Sequence, residues 1–154
     1  AAAVENGYLY LGTNRGLYYT SYPVKLNGSL PDIHPVPQSS GQVWNLCKIG
    51  DDLFCLHDRG IFQIKGTSIH RITDITGAWC CQEVMGRPDR MFVGVYNGIY
   101  LLEKKGGEWH MLCKIEGFVD SSRLFEQESA RILWVHNSGI ITRVELSEDL
   151  TRQI

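Results

Sequence analysis

The sequence lacks the features that mark several large classes of protein. It has no apolar run approaching the roughly 18 residues of a membrane-spanning helix, and its start, AAAVENG, lacks the charged beginning and apolar centre of a signal peptide. Its 15 basic residues form no cluster and are outnumbered by 17 acidic ones, giving a formal net charge of −2. A nucleic-acid binder would show a basic patch. We therefore predict a soluble chain without a nucleic-acid partner, and the abrupt start after Ala1, Ala2 and Ala3 suggests an excerpt of a longer protein.

Cysteine is present, but not in a pattern that binds metal. The five cysteines form neither a CxxC pair nor the paired spacing of a zinc site, so we predict no metal and no cofactor. An odd number also argues against a complete disulfide framework, and packing in the core is the simpler interpretation. One disulfide stays open as an alternative, because a tight turn centred near Asp51 would place Cys47 opposite Cys55 on neighbouring strands. The cysteines are Cys47, Cys55, Cys80, Cys81 and Cys113.

Glycine is abundant, with 16 residues, and it marks a repeat. One phrase, LYLGTNRGLYY at Leu9–Tyr19, consists of an apolar run, a polar turn, a glycine and a second apolar run. Three further phrases, LFCLHDRGIFQI, MFVGVYNGIYLL and ILWVHNSGIITRV, share this design. Their anchoring glycines follow one another after 44, 38 and 41 residues. The glycines are Gly16, Gly60, Gly98 and Gly139. A period near 40 residues indicates a repeat protein.

A second repeat lies between these phrases. In IHPVPQSSG, IHRITDITG and WHMLCKIEG, a histidine precedes a glycine by seven residues each time. These glycines are Gly41, Gly77 and Gly117, and each is followed by another apolar stretch. The apolar runs are four to six residues long and rich in Tyr, Ile, Val, Phe and Trp, which favours strands over helices. Each unit therefore predicts four short strands and a tight hairpin at the anchoring glycine.

Four-stranded units of about 40 residues in tandem are typical of β-propeller blades. We predict an all-β fold made of about four such blades, in one segment spanning 1–154, with repeats at about 8–40, 41–76, 77–116 and 117–154. An antiparallel sandwich is the alternative, although it would not explain phrases at a fixed period. The first repeat opens on Tyr8, which predicts that its innermost strand is missing and that the chain is an open arc of a larger propeller. Such an arc would expose apolar blade faces and self-associate.

The phrase LYLGTNRGLYY resembles the two-component regulator propeller repeat, whose usual form is Leu-Trp-Ile-Gly-Thr, two polar residues and Gly-Leu. The resemblance extends in weaker form over the whole chain, with the Gly-Thr pair complete only at Gly12 and Thr13 and its glycine alone kept at Gly94. Repeats of this family fill the periplasmic sensor region of bacterial hybrid two-component histidine kinases. The resemblance implies a periplasmic, non-catalytic sensor segment that contributes to the detection of oligosaccharides. Kinase and receiver motifs are absent from these residues.

Two other functions stay open beside the sensor. A propeller can serve as a scaffold for protein–protein interaction, and some propellers are enzymes. The enzyme alternative has the least support, because the carboxylates show no recurring geometry and are expected to be solvated charges at turns and strand ends. They are Asp51, Asp52, Glu83, Glu126 and Glu128.

The histidines do not form a site in this pattern. His34, His70 and His110 hold the same place in successive repeats, so they should lie one blade apart on outer strands rather than converge on a metal. His57 stands beside Asp58 and His136 beside Asn137, each at a hairpin turn, and no serine or cysteine nucleophile recurs with them.

Tryptophan is the more promising ligand-binding residue. The repeat-matched positions of Trp44, Trp79, Trp109 and Trp134 favour packing between blades, with stacking on a sugar ring as the alternative. Trp44 and Trp79 fall on the predicted innermost strand, where Arg123 stands in the next unit. We predict that any ligand contacts Trp44, Asn45, Trp79 and Arg123, with the hairpin turns TNR, HDR, VYN and HNS as further candidates.

Overall fold

The computed structural model describes residues 1–154 and contains seventeen strands and no helix. The strands divide between two compact units, Ala1–Thr76 and Gly77–Ile154. The division falls between the second and third repeats predicted from the sequence. Every sheet is antiparallel, as expected where short strands are joined by tight hairpins.

The first unit contains two four-stranded sheets and a small hairpin. Their orders are β1-β2-β3-β6 and β10-β9-β8-β7, and β4 pairs with β5 in the loop that leads to β6. The strands are β1 (Ala2–Glu5), β2 (Tyr8–Thr13), β3 (Gly16–Ser21), β4 (Leu26–Asn27), β5 (Leu30–Pro31), β6 (His34–Pro35), β7 (Val43–Ile49), β8 (Asp52–His57), β9 (Gly60–Lys65) and β10 (Ser68–Thr73).

The second unit contains a four-stranded sheet, β11-β12-β13-β14, and a three-stranded sheet, β15-β16-β17. After β17 the chain turns back, so that Gln153 forms a bridge with Leu146 and Arg152 forms one with Glu116. The strands are β11 (Ala78–Val84), β12 (Arg87–Val95), β13 (Gly98–Lys105), β14 (Glu108–Lys114), β15 (Leu124–Ser129), β16 (Ile132–Asn137) and β17 (Ile140–Glu145).

The first sheet corrects one prediction. Its innermost strand is present, because Ala2–Glu5 pairs along its length with Tyr8–Leu11 of β2. The three alanines are therefore structural, with the Ala1 carbonyl accepting a hydrogen bond from the Gly12 amide at 2.8 Å. Small residues with low strand propensity concealed this strand in the sequence.

Three of the four hairpin glycines have the same conformation and the same reason to be glycine. Gly16, Gly60 and Gly98 open the second strand of their hairpins with φ between 138° and 144°. A Cβ on Gly16 would lie 2.9 Å from the Ser39 carbonyl oxygen, and one on Gly98 would lie 2.9 Å from that of Phe118. The segment that follows each outer strand therefore passes so close to the hairpin glycine that a side chain at this position would clash with its backbone.

The fourth hairpin differs by one residue. Its closing pair is Asn137 and Ile140, whereas the first hairpin closes with Thr13 and Gly16. Gly139 thus lies inside the turn, beside Ser138, with no atom near its missing Cβ. The structural counterpart of Gly16 in this hairpin is Ile140, so the glycine alignment of the fourth repeat is wrong by one position.

The core of each unit lies between its two main sheets. In the first unit Tyr10 and Leu17 pack against Val43, Cys55 and Phe62 of the next sheet. In the second unit the corresponding set of buried residues includes Phe92 and Leu101 on one sheet and Phe125, Leu133, Val135 and Val144 on the other. Face-to-face packing of successive four-stranded units is the arrangement of neighbouring propeller blades.

The open alternative of a Cys47–Cys55 disulfide is wrong. The connecting turn is Gly50–Asp51, so Cys47 is opposite Phe54 and Cys55 is opposite Leu46. The two cysteines therefore point to opposite faces of the sheet. All five cysteines are thiols, and burial raises the pKa of Cys55 to about 12, with the nearby Cys47 as a second cause.

Candidate functional site

A polar cleft of about 220 Å³ lies in the first unit, where the hairpin turns of its two main sheets meet. It is formed by the turn after β1, the turn before β8 and the turn after β9. Its polar lining combines carboxylates, carboxamides, a phenol and an ammonium group. The lining residues are Glu5, Asn6, Tyr10, Asp51, Asp52, Leu53, Gln63, Ile64, Lys65 and Gly66.

Hydrogen bonds hold the walls of this cleft in place. The Tyr10 hydroxyl donates to the Gly66 carbonyl at 2.7 Å and so joins the two sheets. The Gln63 side chain, only 7% exposed, donates from Nε2 to the Asp52 carboxylate at 3.0 Å. Lys48 Nζ lies 2.6 Å from Glu5 Oε2. The cleft therefore presents polar groups whose positions are set before any ligand arrives.

The electrostatics of the cleft are nearly balanced. Three carboxylates, on Glu5, Asp51 and Asp52, face the ammonium group of Lys65 in the wall and that of Lys48 on Glu5. The hydrogen bond from Lys48 to Glu5 raises the pKa of Lys48. Burial, and after it the charges of Tyr8 and Glu5, raise the pKa of Tyr10. Counting Lys48, three carboxylates stand against two ammonium groups, so the cleft carries a small excess of hydrogen-bond acceptors, which suits a small neutral ligand rich in hydroxyl groups.

The residues predicted to bind a ligand lie outside this cleft. Trp44 and Asn45 are neighbours on β7, at a bulge in its pairing with β8. Trp44 is 42% exposed, and Asn45 Oδ1 accepts a hydrogen bond from the Leu46 amide at 2.9 Å. Trp79 belongs to the other unit, where the Arg123 guanidinium lies 5.2 Å from the centre of its ring. The structure thus brings Trp79 and Arg123 together, as a cation–π pair, and keeps Trp44 beside Asn45.

Sequence reasoning missed the cleft because its polar residues look like ordinary turn residues. Asp51 and Asp52 were expected to be solvated, but Asp52 accepts the bond from Gln63 and faces the cleft. The positions of the turn residues in the sequence could have indicated the cleft. Asn6–Gly7, Gly50–Asp51 and Gly66 are turn residues at the same end of neighbouring hairpins, so their side chains could have been expected to converge.

The remaining tryptophans and histidines have structural positions. Trp109 is buried, as packing between blades predicts, whereas Trp134 is 41% exposed and donates from Nε1 to Glu128 at 2.8 Å. The predicted outer-strand positions of three histidines are confirmed, because they lie on β6, β10 and β14. They are His34, His70 and His110.

His57 is fully buried between polar partners that mimic part of a catalytic triad. Its Nδ1 lies 2.6 Å from Asp58 Oδ1, and its Nε2 lies 3.0 Å from the carbonyl oxygen of Ser39. The Ser39 hydroxyl instead donates to the Val36 carbonyl at 2.7 Å and accepts from the Leu17 amide. Since the imidazole meets a carbonyl and not the hydroxyl, this arrangement cannot activate a serine nucleophile.

A second, apolar groove of about 160 Å³ lies on the last sheet, at β15, β16 and β17. The groove is lined by Leu124, Phe125, Glu126, Trp134, His136 and Ile141.

The chain has no helix long and apolar enough to cross a membrane.

Comparison with known proteins identifies the fold. The chain superimposes on the WD40 β-propeller domain of Doa1 with a TM-score of 0.64 and 12% sequence identity. The superposition covers 94% of this chain and 49% of that domain, so the chain spans about half its length. No family model matches the sequence, and the search of curated proteins found no match. The chain is thus made of β-propeller blades, as the repeat predicts, and the particular repeat family stays a prediction.

Proposed function

We propose that the chain is the non-catalytic sensing segment of an extracytoplasmic signalling protein of the hybrid two-component type, and that it binds oligosaccharides released from polysaccharides. The observation that carries the ligand class is the polar cleft of the first unit. Its size admits a single sugar ring, and its fixed acceptors on Asp52 and Glu5 stand beside donors on Gln63 and Lys65. Periplasmic localisation belongs to the same proposal and rests on the resemblance of LYLGTNRGLYY.

The residues that carry the resemblance act as scaffold. Thr13 Oγ1 donates to the Gly16 carbonyl at 2.8 Å and accepts from the Arg15 amide at 3.1 Å, which closes the hairpin. A Cβ on Gly12 would lie 2.5 Å from Val43 Cγ1, so glycine lets the next sheet approach. The motif therefore supports the packing of β2 on β7, and ligand recognition belongs to the turns beside it.

Calorimetry of residues 1–154 with a panel of neutral mono- and oligosaccharides tests the proposal. We expect binding that Gln63→Leu weakens at least about tenfold, because the Gln63 amide no longer donates to the ligand and the Asp52 carboxylate loses the donor that positions it. Asp52→Asn should weaken it as well. Asp89→Asn is the matched control, since Asp89 is an exposed carboxylate on β12 outside the cleft.

Two results would contradict the proposal in different ways. Absence of binding across the panel would reject the sensor. Binding that Trp44→Ala or Arg123→Ala removes, while Gln63→Leu leaves it unchanged, would keep the sensor and move its site to the residues predicted from the sequence.

A scaffold for protein interaction is the second candidate, and a separate observation favours it. The β4–β5 hairpin projects apolar side chains into solvent, with Leu26 and Leu30 more than 60% exposed. A photo-crosslinker at position 26 should then give one discrete adduct with a second protein in the native host, and Leu30→Ser should remove it. A diffuse set of adducts would reject this candidate.

A further inference from the structure

The last sheet has one covered apolar face, and its opposite face carries large exposed apolar side chains together with the charged Glu126 and Arg143. Phe125, Leu133, Val135 and Val144 belong to the core of the second unit. On the opposite face Leu124 is 51% exposed and Ile141 is 67% exposed, beside Trp134. We call Leu124, Trp134, His136 and Ile141 the terminal face. Large apolar side chains grouped on a sheet face mark a surface that is made to be covered.

The other hairpins show what covers this position. Trp134 stands three residues before Asn137, which closes its hairpin, just as Tyr10 stands three before Thr13 and Phe92 three before Val95. Tyr10 and Phe92 are both buried against the sheet that follows in the chain. The ring of Phe92 meets that of Phe125 edge-on, with 6.3 Å between their centres. Trp134 thus stands at the position of a residue that packs on a following sheet, with the charged Glu126 and Arg143 as its cross-strand neighbours.

The first sheet carries the complementary surface. Leu9 and Leu11 stand four and two residues before Thr13, and the residues at these positions in the second sheet are Leu53 and Cys55. Both of those are buried in the core with Tyr10 of the preceding sheet. In the first sheet Leu9 and Leu11 are only half-buried, and Val4, paired with Leu9, is exposed. We call Ala2, Val4, Leu9 and Leu11 the leading face.

We propose that the terminal face of one chain packs on the leading face of a second copy. The contact repeats the packing inside the first unit, in which the sheet face that carries Tyr10 packs on the face of the next sheet that carries Leu53. It is heterologous, because the two copies use different surfaces, so it propagates until a ring closes or a filament forms. Two copies of residues 1–154 supply eight main sheets, within the roughly four to eight blades that propellers use. The formal net charge of −2 offers little repulsion between copies.

Sedimentation velocity of residues 1–154 over a roughly hundredfold concentration range tests this by mass action. We expect the average mass to rise above 17.4 kDa with concentration. Trp134→Glu and Val4→Glu should each reduce this rise, because each places a charge on one face. Met111→Glu is the control, since Met111 is equally exposed but lies on the outer strand β14. Circular dichroism verifies that every variant is folded.

The decisive experiment mixes the two face variants. Each keeps the face that the other has lost, so an equal mixture should form a heterodimer that neither variant forms alone. A contact between identical surfaces would not be restored in this way. The proposal is overturned if the wild type stays at 17.4 kDa throughout the range, which would leave a further blade or another protein as the occupant. It is equally overturned if the mixture stays monomeric, or if both variants associate as the wild type does.

Discussion

Asp149 accepts the hydrogen bonds that shape the last turn of the chain. Its Oδ1 receives the Ser147 hydroxyl at 2.6 Å, the Thr151 hydroxyl at 2.9 Å and the Thr151 amide at 3.2 Å. These donors, with Ser147 the strongest cause, lower the pKa of Asp149 to about 2. The turn also holds Leu150, which is fully buried although its φ is +68°. One carboxylate thus supports both an unfavourable backbone conformation and a core contact.

At this residue we predict a pH-dependent loss of stability. Because the pKa of Asp149 is lower in the folded state, its ionised form stabilises the fold above the ordinary value of 3.8, and this contribution is lost as the pH falls through about 2. Asp149→Asn should therefore lower the urea midpoint at neutral pH, and the difference from wild type should shrink between pH 4 and 2. Glu148→Gln, at an adjacent exposed carboxylate, is the control. A difference that is constant over this range would show that the charge is irrelevant.

Among the elements, the β8–β9 hairpin is tied to the segment that links the first two sheets. Buried His57 contacts the Ser39 carbonyl through Nε2 and packs edge-on against Phe62, with ring centres 5.4 Å apart. Ser39 in turn bonds to Leu17 of the first sheet and to Val36, the residue after its last strand. The hairpin, the linker and the preceding sheet are therefore held by one buried polar network.

We expect His57→Ala to destabilise the chain by about 2–4 kcal/mol, since it leaves a cavity and an unsatisfied buried carbonyl. His70→Ala removes the same side chain from an exposed position on β10 and should change stability by less than about 0.5 kcal/mol. Equilibrium unfolding in urea compares the two. Similar losses in both variants would mean that the His57 network adds nothing.

The elements were largely predictable, and their registers were not. Alternating apolar runs with a turn between them identify β2–β3, β8–β9 and β12–β13, because hairpin formation depends on neighbours in sequence. The fourth hairpin has the same pattern, yet it closes at Asn137 and Ile140 and shifts by one residue. Two acceptable turn positions existed there, and packing of Leu133 and Val135 into the core selects one of them.

For the whole molecule, exposed apolar surface and net charge together control self-association. The chain has a calculated isoelectric point of about 6.2, and it exposes the terminal face and the β4–β5 hairpin. Near its isoelectric point a protein loses the repulsion that opposes association. Self-association is therefore a property that solution pH should control.

Light scattering should show the strongest association near pH 6.2 and weaker association at alkaline pH, where net negative charge grows. Added salt at alkaline pH should restore part of the association, because it screens the repulsion while leaving apolar contacts intact. Association that strengthens steadily with pH, or that salt disrupts, would indicate ion pairing rather than apolar packing.

The sequence by itself determines the β-propeller fold, the hairpins and the outer-strand histidines, because these depend on periodicity and turn residues within a few positions. Only the tertiary structure decides the cleft, since Glu5, Asp52 and Gln63 converge when two sheets pack together. It also decides the exposure of Trp134, because Tyr10 at the matching position of the first hairpin is buried. The two aromatic residues have the same local pattern, and their burial differs because a following sheet of the chain covers one of them and not the other.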